Sequence, residues 1–571
     1  MLKREEGWIT PMENIDRDQI RTYSDGRFHF FVGLCEKVGL PQLFNQHLKK
    51  TTGRPMDLPP GIEAMILMAP MAEEGYKPLY QLHDYYHTRD LEGIFHYPVQ
   101  EKHIKDDRFG YFLDAFYEAG CRQIFSEICT NALVTYGIQV KNINYDTTSF
   151  VMWGEYETVE GKTGAISIDF GHSKARRSDK KQFKMAIGTA DGTIVDAKVL
   201  SGNHSDKTFN KENITDTEKV LDRLGIDKNT FHSIADSAFF AKETLDGAKA
   251  AGMKWITRIP DNIKQAKALI EKGISEKGKT VSYRNAHNKD VKYVVEESRI
   301  SYEGHALNCA VVYSVALEPA KRKSSERKIQ KEKDQLDRVM KGLAKRSFSC
   351  KEDAQRELEV LQQDKKQLKA AFHTTTLSLI SVDKKPQGRP SLYPTQRPTK
   401  TEYHIDMVIG RDQDKIDAYI QKECIFVLAS NNPDLSAEAI LLEYKTQSGV
   451  EKRFQQLKDP HFINSLYLEK PERIEALAYL ILLTMMILSV MEQVVRKGMK
   501  EENETIIATG KKINKQPTQM MILRLFYNIV VQTYVREGKR IRYLFKPLNE
   551  SQAKVIRYLG IPESTFAWNG T

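Results

Sequence analysis

Ile143-Asn144-Tyr145-Asp146-Thr147-Thr148-Ser149-Phe150 marks the point where the periodicity of this chain changes. Upstream, apolar residues recur at helical spacing in Phe28–Val38, Gly61–Met71, Phe109–Phe116 and Ile124–Tyr136. From Ile143 the pattern becomes that of a strand. Lys184–Ala190 and Thr193–Leu200 read as two more strands, joined at Asp191-Gly192, a dipeptide suited to a tight hairpin. A helix over roughly Asp216–Leu224 follows, then a short strand ending in Ile234-Ala235-Asp236. A helix over Lys242–Ala251 and a strand over Lys254–Ile259 complete the run. Three strands followed by alternating helices and strands predict an α/β layer on a mixed sheet.

After Pro260 this pattern is interrupted. Val291–Val295 and Ala306–Ser314 have strand character, and Lys321–Phe372 is highly charged and helical. Ile329, Leu336 and Leu343 lie one heptad apart, as do Leu361 and Leu368, with a turn at Ser347–Lys351. This predicts an antiparallel helical hairpin. Lys384–Lys400 reads as a Pro-rich basic linker around Gly388-Arg389-Pro390, a core that also fits an A·T minor groove. Strand character returns at Glu402–Val408 and Cys424–Leu428. Near the end, Thr518–Tyr534 reads as a helix, followed by the basic, aromatic run Lys539–Tyr543.

Between these lies Glu443-Tyr444-Lys445-Thr446-Gln447-Ser448-Gly449-Val450-Glu451-Lys452-Arg453-Phe454-Gln455-Gln456-Leu457-Lys458. As one helix, at about 100° per residue, it places Tyr444, Gln447, Glu451 and Lys458 within an arc of roughly 60°. Val450, Phe454 and Leu457 form an apolar stripe beside that arc. Arg453 points away from Glu451 and reads as a surface ion-pair former.

Three carboxylates stand out: Asp146 in the first strand, Asp236 at the end of the fourth, and Glu451 on the helix after the last strand. Ligands gather at the strand ends of open α/β sheets. Carboxylates brought together repel each other unless a cation is present, and Mg²⁺ is usually held by a few carboxylates with water and phosphate. Two such ions, about 3.5–4 Å apart, serve phosphodiester chemistry. Each aspartate equally suits a helix cap or turn, Asp236-Ser237-Ala238 above all.

Composition leaves this open. The chain has 571 residues, a formal net charge of +10 and 40% hydrophobic residues. That supports several globular units, and permits an anionic partner such as DNA without demanding one. Cys35, Cys121, Cys129, Cys309, Cys350 and Cys424 form no Cys-x-x-Cys pair, so neither a zinc knuckle nor a disulfide framework is indicated. Met1–Glu6 has no apolar core of a signal peptide. Ala476–Met491 is uncharged and apolar but shorter than the roughly 20 residues of a membrane span, and reads as a buried helix. A cytoplasmic protein with no membrane partner is expected.

In combination the motifs resemble the DDE transposases of bacterial insertion sequences, in the insertion-sequence-4 superfamily whose catalytic helix bears Y-x2-R-x3-E-x6-K. Tyr444, Glu451 and Lys458 match that register, and Gln447 stands where arginine is usual. Asp146-Thr147-Thr148 matches the first-aspartate motif. The family loop G-[YH]-S-K-x-x-R-P-D-x-K-Q is matched by Gly171–Gln182, with Ser178 replacing proline. Gly202-Asn203-His204-Ser205-Asp206 and Ala235-Asp236-Ser237 also fit, and Asp106-Asp107-Arg108-Phe109-Gly110 resembles the branch numbered 1634.

The resemblance implies an RNase H-like mixed-sheet catalytic core with a large insertion before the catalytic helix, a helical N-terminal domain and a helical C-terminal region. Expected boundaries are 1–138 for the helical, DNA-binding N-terminal domain and 139–260 for the first part of the core. The insertion would span 261–430, the second part of the core 431–500 and the C-terminal region 501–571. Asp146, Asp236 and Glu451 would be catalytic and hold Mg²⁺, as two ions, with Mn²⁺ as a substitute. Tyr444, Gln447, Lys458, Lys174, Arg176, Arg177, Lys180 and Lys181 would contact DNA; His172 is equally a structural hydrogen-bonding residue. The enzyme would cleave the element's terminal inverted repeats and join them to target DNA, as a homodimer, in the bacterial or archaeal nucleoid. Two other readings fit the residues: a transposase-derived DNA-binding protein impaired in catalysis, and an RNase H-like nuclease without strand transfer.

Overall fold

In the computed structural model the described residues are 20–48, 57–154, 156, 164–174, 176–284, 289–363, 370–384, 400–460, 462–463, 466–508, 512–536 and 538–569. The basic segment around Gly388-Arg389-Pro390, the N-terminal hexapeptide and Leu368 lie outside them. The chain divides into two compact units, Met1–Thr257 with Glu443–Thr571, and Arg258–Leu442.

The first unit is built on a mixed sheet. Its strands are β1 (Asn142–Val151), β2 (Gln182–Ala190), β3 (Thr193–Ser201), β4 (His232–Ala235) and β5 (Trp255–Arg258). β2 pairs antiparallel with both β1 and β3, while β4 pairs parallel with β1 and with β5. The spatial order is therefore β3-β2-β1-β4-β5, the RNase H-like arrangement. The β2–β3 turn forms at Asp191-Gly192, where φ is positive at both residues (48° and 77°), as a type I′ hairpin requires. β2 is buried along its whole length, so its lack of polar alternation reflects cover on both faces.

Between β3 and β4, helix α1 runs over Asp206–Leu224, starting ten residues before the Asp216 read from the sequence. Its first turns are polar and hide the helical period; the start is set by Ser205, whose side chain accepts the Thr208 N–H. Helix α2 (Lys242–Ala250) joins β4 to β5. The run read as one catalytic helix is two: a helix over Ala437–Lys445 ends, the chain turns at Thr446-Gln447, and α3 runs over Ser448–Leu457. The turn has a local cause. The Thr446 hydroxyl donates to the Glu443 carbonyl at 2.7 Å and accepts from the Asn144 side-chain amide of β1 at 2.9 Å.

Helix α4 (Pro471–Glu501) contains the uncharged Ala476–Met491 stretch. It is long and apolar enough to cross a bilayer, but 94% of its most apolar window is buried inside the protein. It lies under the sheet: the β3 amides of Ile194 and Val199 donate to the Ser489 hydroxyl at 2.9 Å and the Tyr479 hydroxyl at 3.3 Å. The N-terminal helices Gly26–Lys37, Pro60–Glu73, Asp106–Glu118 and Cys121–Thr135 share one apolar core with α4 and the sheet.

The C-terminal stretch differs from its reading as helix. Thr518–Tyr534 is a short helix over Gln519–Leu525 followed by a strand, Val531–Arg536, which pairs with Lys539–Leu544 and with Arg21–Tyr23. The basic run lies in that hairpin. Arg542 is 1% exposed and donates to the Gly93 carbonyl, and Arg540 pairs with Asp90 and Glu92, so these cations serve packing.

In the second unit, Lys279–Arg284, Asp290–Tyr302, His305–Ser314 and Ile425–Ser430 are neighbours in that order, each pair antiparallel. The charged hairpin is present as helices Glu318–Ala344 and Lys351–Gln363. Its apolar stripe, including Leu336, Leu343, Leu358 and Leu361, packs on Ile405 and Met407. Those two belong to a ribbon in which His373–Lys384 pairs with Lys400–Arg411. Only the second strand of that ribbon is evident from sequence, because Thr374-Thr375-Thr376 carries little apolar alternation.

Candidate active site

Register places the two aspartates. β1 and β4 run parallel, with Tyr145 opposite Ala235. One residue further on lie Asp146, still on β1, and Asp236, the first residue beyond β4, close enough for the charge of one carboxyl to act on the other. Asp236 leaves the sheet and caps a short 3₁₀ turn, its Oδ1 accepting the Ala238 N–H at 3.1 Å. Its backbone carbonyl accepts the Thr257 hydroxyl at 2.6 Å, which ties it to β5. The capping role expected for this residue is thus present. Burial raises the Asp236 carboxyl above its ordinary range. The negative charge of Asp146 raises it further, and Lys174 opposes the rise.

The loop after Ile168 brings cations to this pair. Gly171 and Gly202 make it possible: a Cβ on Gly202 would meet the Gln182 carbonyl oxygen at 1.9 Å, and one on Gly171 the Gly202 oxygen at 2.3 Å. Gln182 locks the approach, donating to the carbonyls of Gly202 at 2.9 Å and His172 at 3.3 Å. The Lys174 amide donates to the Ser149 hydroxyl on β1 at 3.0 Å. Its ammonium then reaches Asp146 Oδ1 at 2.9 Å and the Thr147 carbonyl at 2.6 Å. A third carboxylate, Asp206 in the first turn of α1, lies 3.8 Å from Lys174 Nζ and 3.8 Å from Lys184 Nζ. It accepts the Thr147 hydroxyl at 2.7 Å.

Glu451 belongs to a different construction. The apolar stripe beside it is as expected: Val450, Phe454 and Leu457 are buried, and α3 packs on β1 and β2. Gly449 makes the approach close enough, since a Cβ there would lie 3.0 Å from the Gly192 backbone. Arg453 is buried, not a surface residue. Its Nε donates to the Gly192 carbonyl at 2.6 Å, and its Nη1 meets Glu492 of α4 at 2.9 Å, both side chains under 10% exposed. Arg453 points away from Glu451 because it pins α3 to the hairpin and to α4. Glu451 itself is exposed.

The family model described as Transposase DDE domain matches residues 159–487, more than half of the chain. This chain belongs to the DDE transposase domain family. A second model, described as a domain of unknown function (DUF4277), matches residues 27–130. A cryo-EM structure of the piggyBac transposase synaptic complex with hairpin DNA aligns at 8% identity and a TM-score of 0.37, over 88% of this chain and 79% of that one. The Mos1 transposase paired-end complex with left transposon end aligns at 12% identity and a TM-score of 0.15, over 37% and 61%. No curated protein shows significant similarity to the chain.

This transposase acts on DNA and depends on a divalent metal. The two aspartates suit a hard cation: both follow the last paired residues of β1 and β4, and burial together with the charge of Asp146 destabilises the charged form of Asp236. Glu451 does not join them. Among the described residues, no group of three His, Cys, Asp or Glu side chains is close enough to hold one ion. The single stripe expected on one helix is also divided. Tyr444 precedes the turn, Gln447 sits within it, and Glu451 and Lys458 follow. Lys458 nonetheless lies in the field of the aspartates. Its ammonium is lowered by burial and by Lys174, against the pull of Asp146.

The loop cations are not all free for DNA. Lys174 is engaged by Asp146, and Arg177 forms a two-pronged pair with Asp179 at 2.7 and 2.8 Å. Lys181 donates to the Tyr156 carbonyl. Arg176 is exposed, with φ of 58°. Arg177 and Lys180 stand over the Trp153 ring at 5.1 and 5.2 Å, and Trp153 is 64% exposed. Sequence reasoning did not single out Trp153, and took Asp206 only as the end of a matched motif, with no role of its own. An aromatic just beyond the catalytic strand, and an acidic residue directly after a helix cap, were the available signals.

Proposed function

We propose that the transposase cuts phosphodiesters at the ends of a mobile element and joins the freed 3′-hydroxyls to target DNA, with Asp146, Asp236 and Glu451 as its catalytic carboxylates. The observation that carries this reading is that Asp146 and Asp236 directly follow the paired residues Tyr145 and Ala235, with burial and the charge of Asp146 holding Asp236 above its ordinary range. Bound by them, Mg²⁺ or Mn²⁺, as two ions, supplies Lewis-acid stabilisation of charge on the reacting oxygens. The protein's own task is placement. The aspartates hold their carboxylates on a rigid sheet, and Arg453 keeps α3 against that sheet, so that Glu451 completes the set when DNA is seated.

Phosphates are met by cations beside the carboxylates. Lys458 acts as a point charge, Tyr444 donates a hydrogen bond, and Gln447 donates through its amide without the bidentate charge of an arginine. Arg176, Arg177, Lys180 and Lys181 follow the backbone, and Trp153 offers a face for a base or sugar. Residues 261–430 are assigned as an insertion in the core and 1–138 as an end-recognition domain. The enzyme works as a homodimer on paired ends at the nucleoid.

The test uses purified protein, DNA carrying the element's terminal inverted repeats, and Mg²⁺. The expected products are a nick with an exposed 3′-hydroxyl and then a joined target strand. Full activity in Asp146→Ala or Glu451→Ala would overturn the site. Specific binding of the ends with no cutting would instead support a DNA-binding descendant, and cutting without joining a nuclease.

A further inference from the structure

Lys174 carries more than a place in a basic loop. Its backbone is fixed to β1 through Ser149, and Gln182 and the Gly171–Gly202 contact hold the loop on both sides. Its side chain, by contrast, is a flexible four-carbon stem with a mobile end, and that end is on Asp146 Oδ1 at 2.9 Å. The same oxygen accepts the Thr147 N–H at 2.7 Å. A metal ligated through this oxygen competes directly with the ammonium.

The surroundings favour the ammonium until something replaces it. Its ammonium has Asp146 at 2.9 Å and Asp206 at 3.8 Å, and the Thr147 carbonyl accepts from it at 2.6 Å. Lys458 approaches the same aspartate and is repelled by Lys174. Two ammoniums facing a small acidic cluster leave one of them easily drawn toward a phosphate.

We propose that Lys174 is an internal counter-cation for Asp146, which gives up that carboxylate to the divalent ion when a DNA phosphate draws its ammonium away. The proposal rests on Asp146 and Asp236 holding the metal. It makes metal affinity and DNA affinity reinforce each other through one side chain, so a cutting-competent centre forms mainly on bound DNA. It also gives the loop's lysine a positioning role that a plain phosphate contact lacks: before DNA binds, it keeps Asp146 oriented and the repulsion from Asp236 in check.

The experiment titrates Mn²⁺ into full-length protein without DNA, followed by electron paramagnetic resonance and calorimetry. Removing a charge-assisted hydrogen bond that competes for the ligand raises Mn²⁺ affinity about tenfold or more in Lys174→Met. Lys174→Gln gives a rise in the same direction and serves if the methionine variant fails to fold. Lys174→Arg, which keeps the charge, stays within about threefold of wild type. Lys180→Met, which removes a cation of the same loop away from Asp146, leaves affinity unchanged. A short duplex then tightens Mn²⁺ binding in wild type and much less in Lys174→Met. Equal or weaker Mn²⁺ binding in both Lys174→Met and Lys174→Gln overturns the proposal, as does an equal gain from Lys180→Met. Asp146→Asn and Asp236→Asn separate the two levels. If they abolish Mn²⁺ binding while the lysine variants change nothing, the metal site stands and the counter-cation role falls. If they bind Mn²⁺ like wild type, the metal site falls and takes the proposal with it.

Discussion

The sheet and the helix that face each other in this transposase hold their carboxylates in different ways. Asp146 and Asp236 each follow a residue of the last registered pair of β1 and β4, Tyr145 and Ala235, so the parallel pairing of these strands brings them near each other. Glu451 is held at one remove. Its helix begins after a turn made by Thr446, leans on Gly192, and is pinned from behind by Arg453 and Glu492. The pair on the sheet is built in, with its electrostatic cost visible in the raised Asp236. The helix carboxylate is exposed and its placement depends on contacts that face away from the chemistry.

The largest effect that would break this comparison is catalytic. Asp146→Asn, Asp236→Asn and Glu451→Gln should each lower the rate of end cleavage by about 10³-fold or more, the scale on which groups stabilising transition-state charge act. Their stabilities should differ. Asp236→Asn removes a half-buried carboxylate repelled by Asp146 and should raise the melting temperature, whereas Glu451→Gln, at an exposed position, should leave it unchanged. Equal shifts in the two melting curves would remove the distinction.

Next comes the support behind α3. Arg453→Ala removes one of the two arginine partners of buried Glu492, Arg496 remaining at 2.5 Å, and should cost about 1–3 kcal/mol in urea unfolding. Arg453→Met, which keeps the bulk, should be less damaging to fold than to cleavage, because the contact to Gly192 is lost either way.

How much of this was legible in the chain follows from the same division. Strand identity, the Asp191-Gly192 hairpin and both strand aspartates could be read from period and turn chemistry alone, because sheet register turns local pattern directly into position. The catalytic helix could be read only in part. Its apolar stripe is local and held, but the break at Thr446-Gln447 depends on Asn144, some 300 residues away. A helical wheel has no access to such a partner. Arg453 misled for the same reason: an arginine on a polar face looks solvated until Gly192 and Glu492 are brought to it. The C-terminal strands were read as helix because Val531–Arg536 pairs with Arg21–Tyr23 from the other end of the chain.

A smaller effect separates the sheet's support from the site carboxylates. Burial raises Glu475 on α4 to about 7, while the Ile166 N–H it accepts opposes the rise. A carboxyl raised on folding adds stability in full below its unfolded value. That stability is lost as pH rises through about 7, by about 3 kcal/mol in all. Glu475→Gln should flatten stability between pH 4.5 and 8, with melting temperature against pH as the check. If the slope persists, Asp236 or another site group sets it. Smallest is Trp153→Ala, which should weaken binding of single-stranded end DNA by roughly tenfold, the lower range of a lost base–aromatic stack. Its cleavage rate at saturating DNA should be unchanged.

The proposed site requires that Asp146 and Asp236, and not the α3 carboxylate alone, hold the divalent ion. Crystals of the transposase with end DNA, soaked in Mn²⁺ and measured at the manganese absorption edge, address it most directly. The account predicts an anomalous peak with carboxylate oxygens of Asp146 and Asp236 at roughly 2.0–2.3 Å, the range of hard-cation coordination. A peak bound by Glu451 with neither aspartate as a ligand would contradict it.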